Sequence, residues 1–169
     1  RPGRGLPRPY LITLSEAEKL FSQIGQGGIA QPKLDGIRAY WESSKRLLIG
    51  KEGTPLNADP LCARLTALNL PDIDGELWHP ELSFNQILSD YRGTGGANLE
   101  LHAFDLNTDQ PQLDRLETLL TLPIPTVPFT SNFELFSLHQ EHLARGYEGT
   151  ILRSLDHPFT GGDIYKIKP

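Results

Sequence analysis

The chain has 169 residues, 38% of them hydrophobic and 22% charged, which is enough to bury the core of one domain. Its formal net charge of −5 argues against a protein that grips nucleic acid through overall basicity and leaves only a local basic groove for that purpose. The single cysteine, Cys62, excludes an internal disulfide framework, and the lack of any bilayer-length apolar run favours a soluble domain without a membrane partner. A cytoplasmic monomer is expected, with export left open.

The first half of the chain predicts short strands mixed with helices. Residues 1–9 are rich in proline, glycine and arginine and predict a loose segment, so the domain is expected over residues 10–169. Ser15 and Glu18 have the spacing of a capping box at the start of a first helix. The dipeptide Asp35-Gly36 between two apolar runs is typical of a hairpin turn. Strands are predicted over residues 29–34, 36–43, 46–50 and 72–78, and a helix with a stripe of Leu61, Leu65 and Leu68 over residues 58–69.

The second half continues this alternation. Helices are predicted over residues 83–91, 112–122 and 132–145, strands over 99–107, 149–154 and 163–168, a flexible loop over 92–98, and an edge strand or linker over 124–129. The last helix is expected to be capped by Asn132 and stopped by Gly146. Its His139 and His142 have no further ligands nearby in sequence, which favours solvated histidines. The mixed order predicts an α+β fold with largely antiparallel sheets flanked by helices.

Five ionisable residues lie in segments that otherwise predict buried strand: Lys33, Glu76, Glu148, Lys166 and Lys168. Such side chains are costly there unless they are paired or line a cavity. Lys166 and Lys168 are two residues apart, so they point to the same face of one strand and repel each other unless an anion lies nearby. The pair therefore suggests a phosphate site. The alternative is a solvated edge strand whose lysines resist aggregation.

These residues belong to five short motifs that occur in a fixed order. The motifs are "KLDGIR" (33–38), "DGELW" (74–78), "HAFDL" (102–106), "EGTILR" (148–153) and "YKIKP" (165–169). Together they resemble the motif series of the covalent nucleotidyltransferases, which comprise ATP-dependent DNA ligases, RNA ligases and messenger-RNA capping enzymes. Five ordered matches make coincidence a poor explanation. The resemblance implies the ligase and capping-enzyme nucleotidyltransferase fold, similar to ATP-grasp, with a nucleotide cleft between the sheets.

The details resemble the DNA-ligase branch most. The glutamate of "EGTILR" and the complete Lys-x-Asp-Gly-x-Arg form at 33–38 are typical of it, and "DGELW" before an aromatic helix resembles the compact ligases of bacteria and viruses. One departure is Gly50-Lys51, where ligases generally have Ser-Arg; Lys51 supplies a charge but lacks the planar fork of arginine. Ligases of this type continue into an OB-fold domain, which the resemblance places outside this chain.

The resemblance implies that Lys33 attacks the α-phosphate of ATP and holds AMP as a phosphoramidate. Lys166, Lys168 and Arg38 would lower the pKa of the Lys33 amine and neutralise the phosphate. Asp35 would orient the lysine or a nick terminus, with a plain turn residue as the alternative, and Arg38 would contact the ribose or a 5′-phosphate. AMP would then pass to the 5′-phosphate of nicked double-stranded DNA, in repair or replication.

The remaining implied contacts hold the nucleotide and its metal. Glu76 would bind the ribose hydroxyls or a metal, and Glu148 would bind Mg²⁺ or Mn²⁺ directly or through water. Phe104 would stack on adenine, although a phenylalanine in such a strand is more often core. Ile151 would cover the other face of the base and Gln31 would read its edge, while Lys51 would bind phosphate.

Two other functions are consistent with the same motifs. An RNA ligase or a capping guanylyltransferase would use the same lysine chemistry on another acceptor or base. A non-catalytic nucleotide-binding module would be expected to have lost the nucleophile or the acids, whereas all of them are present.

Overall fold

The structure is a computed structural model that describes residues 6–24, 28–154, 158–159 and 164–169, except for the side chains of residues 21–24. Strands and helices alternate irregularly along it. In chain order they are β1 (Tyr10–Leu11), α1 (Leu14–Ile24), β2 (Gly28–Lys33), β3 (Ile37–Glu42), β4 (Leu47–Ile49), α2 (Asp59–Thr66), β5 (Ile73–Trp78), α3 (Phe84–Thr94), β6 (Glu100–Leu106), α4 (Gln112–Leu119), α5 (Leu135–Ala144), β7 (Gly149–Ser154) and β8 (Tyr165–Ile167). None of the described helices combines the length and the apolar character that crossing a bilayer requires.

The strands form two four-stranded sheets. The first sheet has the order β1-β8-β7-β2 and the second has the order β4-β3-β5-β6. Every pairing is antiparallel except that of β1 with β8. The predicted α+β class with largely antiparallel sheets is therefore confirmed.

Asp35-Gly36 is not the turn of a β-hairpin. Strand β2 belongs to the first sheet and β3 to the second, so the short bend between them carries the chain from one sheet to the other. A Cβ atom on Gly36 would lie 2.3 Å from the carbonyl oxygen of Leu77, so this close approach to β5 requires glycine. The two strands were placed correctly from sequence, but the hairpin interpretation is wrong.

Two hydrophobic clusters hold the sheets and helices together. The larger cluster joins the second sheet to helices α2, α3 and α4 and also takes in Ile29 of β2. The smaller one packs β2, β7 and β8 against α1 and α5 through residues such as Ala17, Ala30 and Leu152. Ile29 and Ala30, which are neighbours on one strand, therefore face different clusters, as expected for a sheet that is covered on both sides.

Some helix boundaries differ from their sequence predictions. The box at the start of α1 is formed by Thr13 and Glu16, whose side chains accept each other's backbone N–H, and not by Ser15 and Glu18. Helix α5 is capped by Glu134 rather than by Asn132. Here several polar residues are close enough in sequence to compete for the same orphan N–H groups, so local spacing does not select one cap.

Other differences come from where the helices end. Helix α2 stops at Thr66, which leaves Leu68 exposed and outside the predicted stripe, while Leu61 and Leu65 are buried. Residues 92–94, predicted as loop, complete α3, which ends at Gly95 in the left-handed conformation. The predicted end of α5 at Gly146, with φ of +89°, is confirmed.

His139 and His142 are buried, not solvated. Both ring Nδ1 atoms lie against the hydroxyl of Thr150 on β7, at 2.9 Å and 2.7 Å. Burial lowers the pKa of both histidines, which favours their neutral forms. A hydroxyl can donate to one ring and accept from the other, so Thr150 satisfies both and ties α5 to the back of β7.

Candidate active site

A cleft lies between the inner faces of the two sheets. The register of β2 against β7 places Lys33 opposite Gly149, Gln31 opposite Ile151 and Ile29 opposite Arg153. Residues paired in this way point to the same face, which is the face turned toward the second sheet. The cleft encloses about 290 Å³ and is lined by Arg8, Pro9, Gln31, Pro32, Lys33, Leu34, Arg38, Lys51, Glu76, Phe104, Val127, Ile151, Arg153, Ile164 and Lys166.

Lys33 is held at the end of β2 by a bridging carboxylate. Its Nζ donates to Oε2 of Glu148 at 2.7 Å, and the other oxygen of Glu148 lies 3.1 Å from Nζ of Lys168. Partial burial favours the neutral acid, but the hydrogen bonds from the two lysines outweigh it and lower the pKa of Glu148. The carboxylate of Glu148 thus bridges two lysines that are far apart in sequence.

Lys166 completes this group of cations. It lines the cleft, pairs with Ile151 in the register of β8 against β7, and therefore lies on the same face as Lys33. Burial and the nearby ammonium groups of Lys168 and Lys33 lower the pKa of Lys166. The predicted common face of Lys166 and Lys168 is consistent with these contacts, and the concentration of positive charge favours an anionic ligand here.

Glu76 faces Lys33 from the second sheet. It lines the cleft, and its Oε2 accepts the backbone N–H of Gly36 at 3.1 Å. Burial raises the pKa of Glu76 to about 7, against the opposing influence of Arg38 and Lys33. The carboxyl group therefore changes protonation near neutral pH and can either accept or donate a hydrogen bond.

Arg38 lines the cleft, and its guanidinium group is hydrogen-bonded within the protein. Nε and Nη2 donate to the two carboxylate oxygens of Asp74 at 2.8 Å and 2.6 Å, and Nη1 donates to the carbonyl oxygen of Pro7 at 3.0 Å. Burial works against the charge, but Asp74 outweighs it and raises the pKa of Arg38. Arg38 is consequently fixed in the cleft wall, with Asp74 as its support.

Phe104 reaches the cleft through an irregularity in β6. Asp74 pairs with Asp105 but Gly75 pairs with Ala103, so Phe104 is skipped in the ladder to β5. Such bulges turn a side chain and free its backbone groups. Here the Phe104 carbonyl accepts a hydrogen bond from Nε2 of Gln31 at 3.0 Å, which links the two sheets. The guanidinium carbon of Arg38 lies 4.9 Å from the centre of the Phe104 ring.

Arg153 lies beside the hydrogen bond that joins Gln31 to Phe104. It is buried, its Nη1 donates to Oε1 of Gln31, and its guanidinium carbon lies 5.4 Å from the centre of the Phe104 ring. Burial lowers the pKa of Arg153. The amide of Gln31 is therefore held between the Arg153 guanidinium and the Phe104 carbonyl in one orientation.

Most of the residues singled out from sequence meet in this one place. Ile151 and Lys51 line the cleft together with Gln31, Lys33 and Glu76. Three are not among the lining residues. Glu148 and Lys168 adjoin the cleft through the ion pairs of Glu148 with Lys33 and Lys168, whereas Asp35 is exposed in the bend after β2. Among the described residues, no contact between Asp35 and Lys33 supports the predicted role of Asp35 in orienting that lysine.

Several site residues were not proposed from sequence. Arg153 is the last residue of the motif "EGTILR". The sequence shows this position but does not show that the side chain is buried. Arg8 and Pro9, in the stretch predicted to be loose, line the cleft, and Arg8 pairs with Glu52 at 2.8 Å. Residues 1–5 of that stretch lie outside the described residues.

The carboxylates of the cleft offer a limited set of metal donors. Within residues 6–24, 28–154, 158–159 and 164–169, no three potential metal-ligating side chains come together. Mg²⁺ usually binds through one or two carboxylates together with substrate phosphates and water. Glu76 in the cleft wall and Glu148, which is paired with Lys33, provide hard oxygen donors of that kind, so this donor set fits such an ion.

The same architecture occurs in solved structures, while no protein-family model and no curated protein sequence matches the chain. A Lig E DNA ligase superposes with a TM-score of 0.75 and 22% identity over 98% of this chain and 68% of that chain. The Chlorella virus DNA ligase-adenylate gives 0.70 and 21% identity over 97% and 69% of the two chains. An archaeal ATP-dependent RNA ligase gives 0.65 and 17% identity over 98% and 48%. This chain therefore has the nucleotidyltransferase-domain fold found in ATP-dependent DNA ligases.

Proposed function

We propose that the chain is the adenylation core of an ATP-dependent DNA ligase. The observation that carries the proposal is the group of Lys33, Glu148, Lys166 and Lys168 at one end of a cleft between two sheets. A lysine in a cleft is common. Here, however, a carboxylate bridges Lys33 to the ammonium group of Lys168, and Lys166 lies close by, an arrangement that is suited to attack on a phosphate.

The proposed reaction begins with attack of the neutral Lys33 amine on the α-phosphorus of ATP. A nitrogen–phosphorus bond forms, the bond from this phosphorus to the bridging oxygen breaks, and pyrophosphate leaves with that electron pair. The amine proton passes to solvent. In the structure Lys33 is ion-paired with Glu148, so this pair has to open before attack, because an ammonium group has no lone pair to offer.

The other residues of the cleft then have defined tasks. Lys166 and Lys168 stabilise the negative charge that builds on the α-phosphate. Phe104 offers a ring face to the base, and Glu76 offers a hydrogen-bonding group to the ribose hydroxyls. Glu148, or Glu76 in place of its ribose contact, would hold Mg²⁺, which would supply charge neutralisation during displacement.

The acceptor in this proposal is the 5′-phosphate of nicked double-stranded DNA. One of its oxygens attacks the adenylate phosphorus, the bond to Lys33 breaks, and the freed lysine is ready for another cycle. The cations of the cleft give a local positive surface on a chain whose net charge is −5, which suits a narrow contact with one phosphate better than broad binding of a duplex.

Intact mass spectrometry after incubation with ATP and Mg²⁺ tests the first step. The natural chain should gain the mass of one AMP, and Lys33→Ala should gain none. Lys45→Ala, which changes an exposed lysine paired with Glu42 at 3.6 Å, is the matched control and should gain AMP normally. An adduct on Lys33→Ala would show that another residue is the attachment site, and the lack of an adduct on the natural chain would contradict the proposal.

RNA ligation is a second candidate, because an archaeal RNA ligase shares this fold over 98% of the chain. Sealing assays with nicked duplexes that carry DNA or RNA strands would separate the two acceptors. DNA joining with little RNA joining supports the first proposal, and the opposite preference supports the second. Parallel labelling with GTP in place of ATP tests for capping-type chemistry, which would give a GMP adduct.

A further inference from the structure

We propose that Arg153 is a specificity-determining residue that donates a hydrogen bond to the purine base of the nucleotide. This inference rests on the proposed function, since it requires a nucleotide in the cleft. The juxtaposition that carries it is a buried guanidinium in the cleft wall, next to an amide whose orientation it fixes.

Arg153 has too few partners for a buried cation. Only 3% of its surface is exposed, yet among the described residues it donates one hydrogen bond, to Gln31, and its Nε has no partner there. The two carboxylates that act on its charge, Asp74 and Asp105, are each occupied by another arginine, Arg38 or Arg115. Buried charges are normally paired and fully hydrogen-bonded, so donors left over in a cleft wall point to a ligand.

The position of Arg153 along the strand matches the base rather than the phosphates. Arg153 is four residues beyond Gly149, the partner of Lys33, which corresponds to about 13 Å along β7. Gln31 lies between these two levels, opposite Ile151. When the α-phosphate of a nucleotide lies next to Lys33, its base therefore lies toward Gln31 and Arg153.

The chemistry of the two side chains suits adenine. A guanidinium only donates hydrogen bonds, and the Oε1 of Gln31 keeps a second lone pair after accepting from Arg153. Together, the Arg153 guanidinium and the Oε1 of Gln31 present a hydrogen-bond donor beside a hydrogen-bond acceptor. The edges of adenine offer the converse, an amino group that donates beside a ring nitrogen that accepts, whereas guanine carries an acceptor oxygen in place of that amino group. We therefore infer that Arg153 donates to a ring nitrogen while Gln31 accepts from the amino group.

Titration calorimetry with ATP and two analogues tests this assignment. The analogues are 7-deaza-ATP and 1-deaza-ATP, each of which lacks one ring-nitrogen acceptor beside the amino group. The measurements use Lys33→Ala in the presence of Mg²⁺, so that no covalent step intervenes. That protein is compared with Lys33→Ala/Arg153→Met, and with Lys33→Ala/Arg145→Met, in which an exposed arginine outside the cleft is changed.

With Arg153 present, ATP should bind more tightly than one of the two analogues by roughly tenfold to a hundredfold. Arg153→Met should weaken ATP binding by a similar factor and remove the difference between ATP and that analogue. Arg145→Met should change neither quantity. Loss of the difference is the informative readout, because a residue that merely clamps Gln31 and Phe104 would weaken all three nucleotides equally.

If both analogues bind the protein with intact Arg153 as tightly as ATP, the assignment is overturned, whether or not the Arg153→Met protein folds. Retention of the ATP preference in a folded Arg153→Met protein overturns it as well. If the natural chain neither binds ATP nor forms an AMP adduct, the proposed function fails and this inference fails with it, so the two failures can be told apart.

Discussion

The carboxylate of Glu148 accepts a hydrogen bond from Nζ of Lys33 at 2.7 Å, across a sequence separation of 115 residues. This contact joins the end of β2 to the residue that precedes β7. It also means that the candidate nucleophile is ion-paired with the group that aligns it and that has to release it before attack.

Glu148→Gln should reduce AMP transfer to Lys33 by about a hundredfold or more, because the amide neither aligns the ammonium group nor offers a hard anionic ligand to a metal. The measurement is the rate of adduct formation by quenched-flow mass spectrometry. Thermal unfolding should shift little, since the Glu148 side chain is 28% exposed. A Glu148→Gln protein with an unchanged rate would show that this contact has no part in the reaction.

Asp74→Ala should destabilise the fold by about 3–5 kcal/mol, because it leaves the guanidinium of Arg38 in the cleft wall without its carboxylate. Urea unfolding measures the loss. Glu141→Ala is the matched control, since it breaks an exposed ion pair with Arg145 and should cost less than about 1 kcal/mol. Similar losses for both variants would mean that the Arg38–Asp74 pair contributes no more than a surface pair.

Glu76 should make the fold less stable as the pH rises from about 4.5 to about 7. Its pKa is raised in the folded protein to about 7 by burial, so the folded state binds a proton that the unfolded state has already released. Stability therefore falls with pH through this range and levels off above it. We expect Glu76→Gln to lack this contribution.

The difference in unfolding free energy between Glu76→Gln and the natural chain, measured at several pH values, isolates this effect. His139 and His142 also titrate, but their lowered pKa values act in the opposite direction, and their contribution cancels in the difference. A difference that does not change between pH 4.5 and 8 would contradict the assigned pKa of Glu76.

Gly149→Ala should destabilise the fold by roughly 1–3 kcal/mol and slow adenylation, because the new Cβ would lie 2.0 Å from the carbonyl oxygen of Ile167. The clash pushes β8 away from β7, and with it Lys166 and Lys168. Gly93→Ala is the control: that position in α3 has open space around it, and alanine there should stabilise the helix by about 0.5–1 kcal/mol. A neutral Gly149→Ala would show that β8 can shift without cost.

Many residues of the cleft could be predicted because they lie in short sequence motifs. The strand segments around Lys33, Glu76, Phe104 and Glu148 were placed correctly, since apolar runs with turn residues at their ends are local signals. A common face for Lys166 and Lys168 is expected from the two-residue period of a strand, although β8 itself ends at Ile167.

Other features depend on partners that are distant in sequence. Asp35-Gly36 has the composition of a hairpin, but β2 pairs with β7 and β3 pairs with β5, so the same dipeptide becomes a crossing between sheets. The bulge that turns Phe104 toward Gln31 is a mismatch between two strands and cannot be seen in either one alone.

The sequence by itself determined which residues carry charge, where most of the strands lie and which faces those strands present, while the short strand β1 was not predicted. Only the tertiary structure decided that Glu148 holds Lys33 and Lys168 together and that Arg153 is buried beside Gln31, with an Nε that has no partner among the described residues. The physical reason is that period and propensity act over a few residues, whereas burial and ion pairing are set by which surfaces the packed sheets bring together.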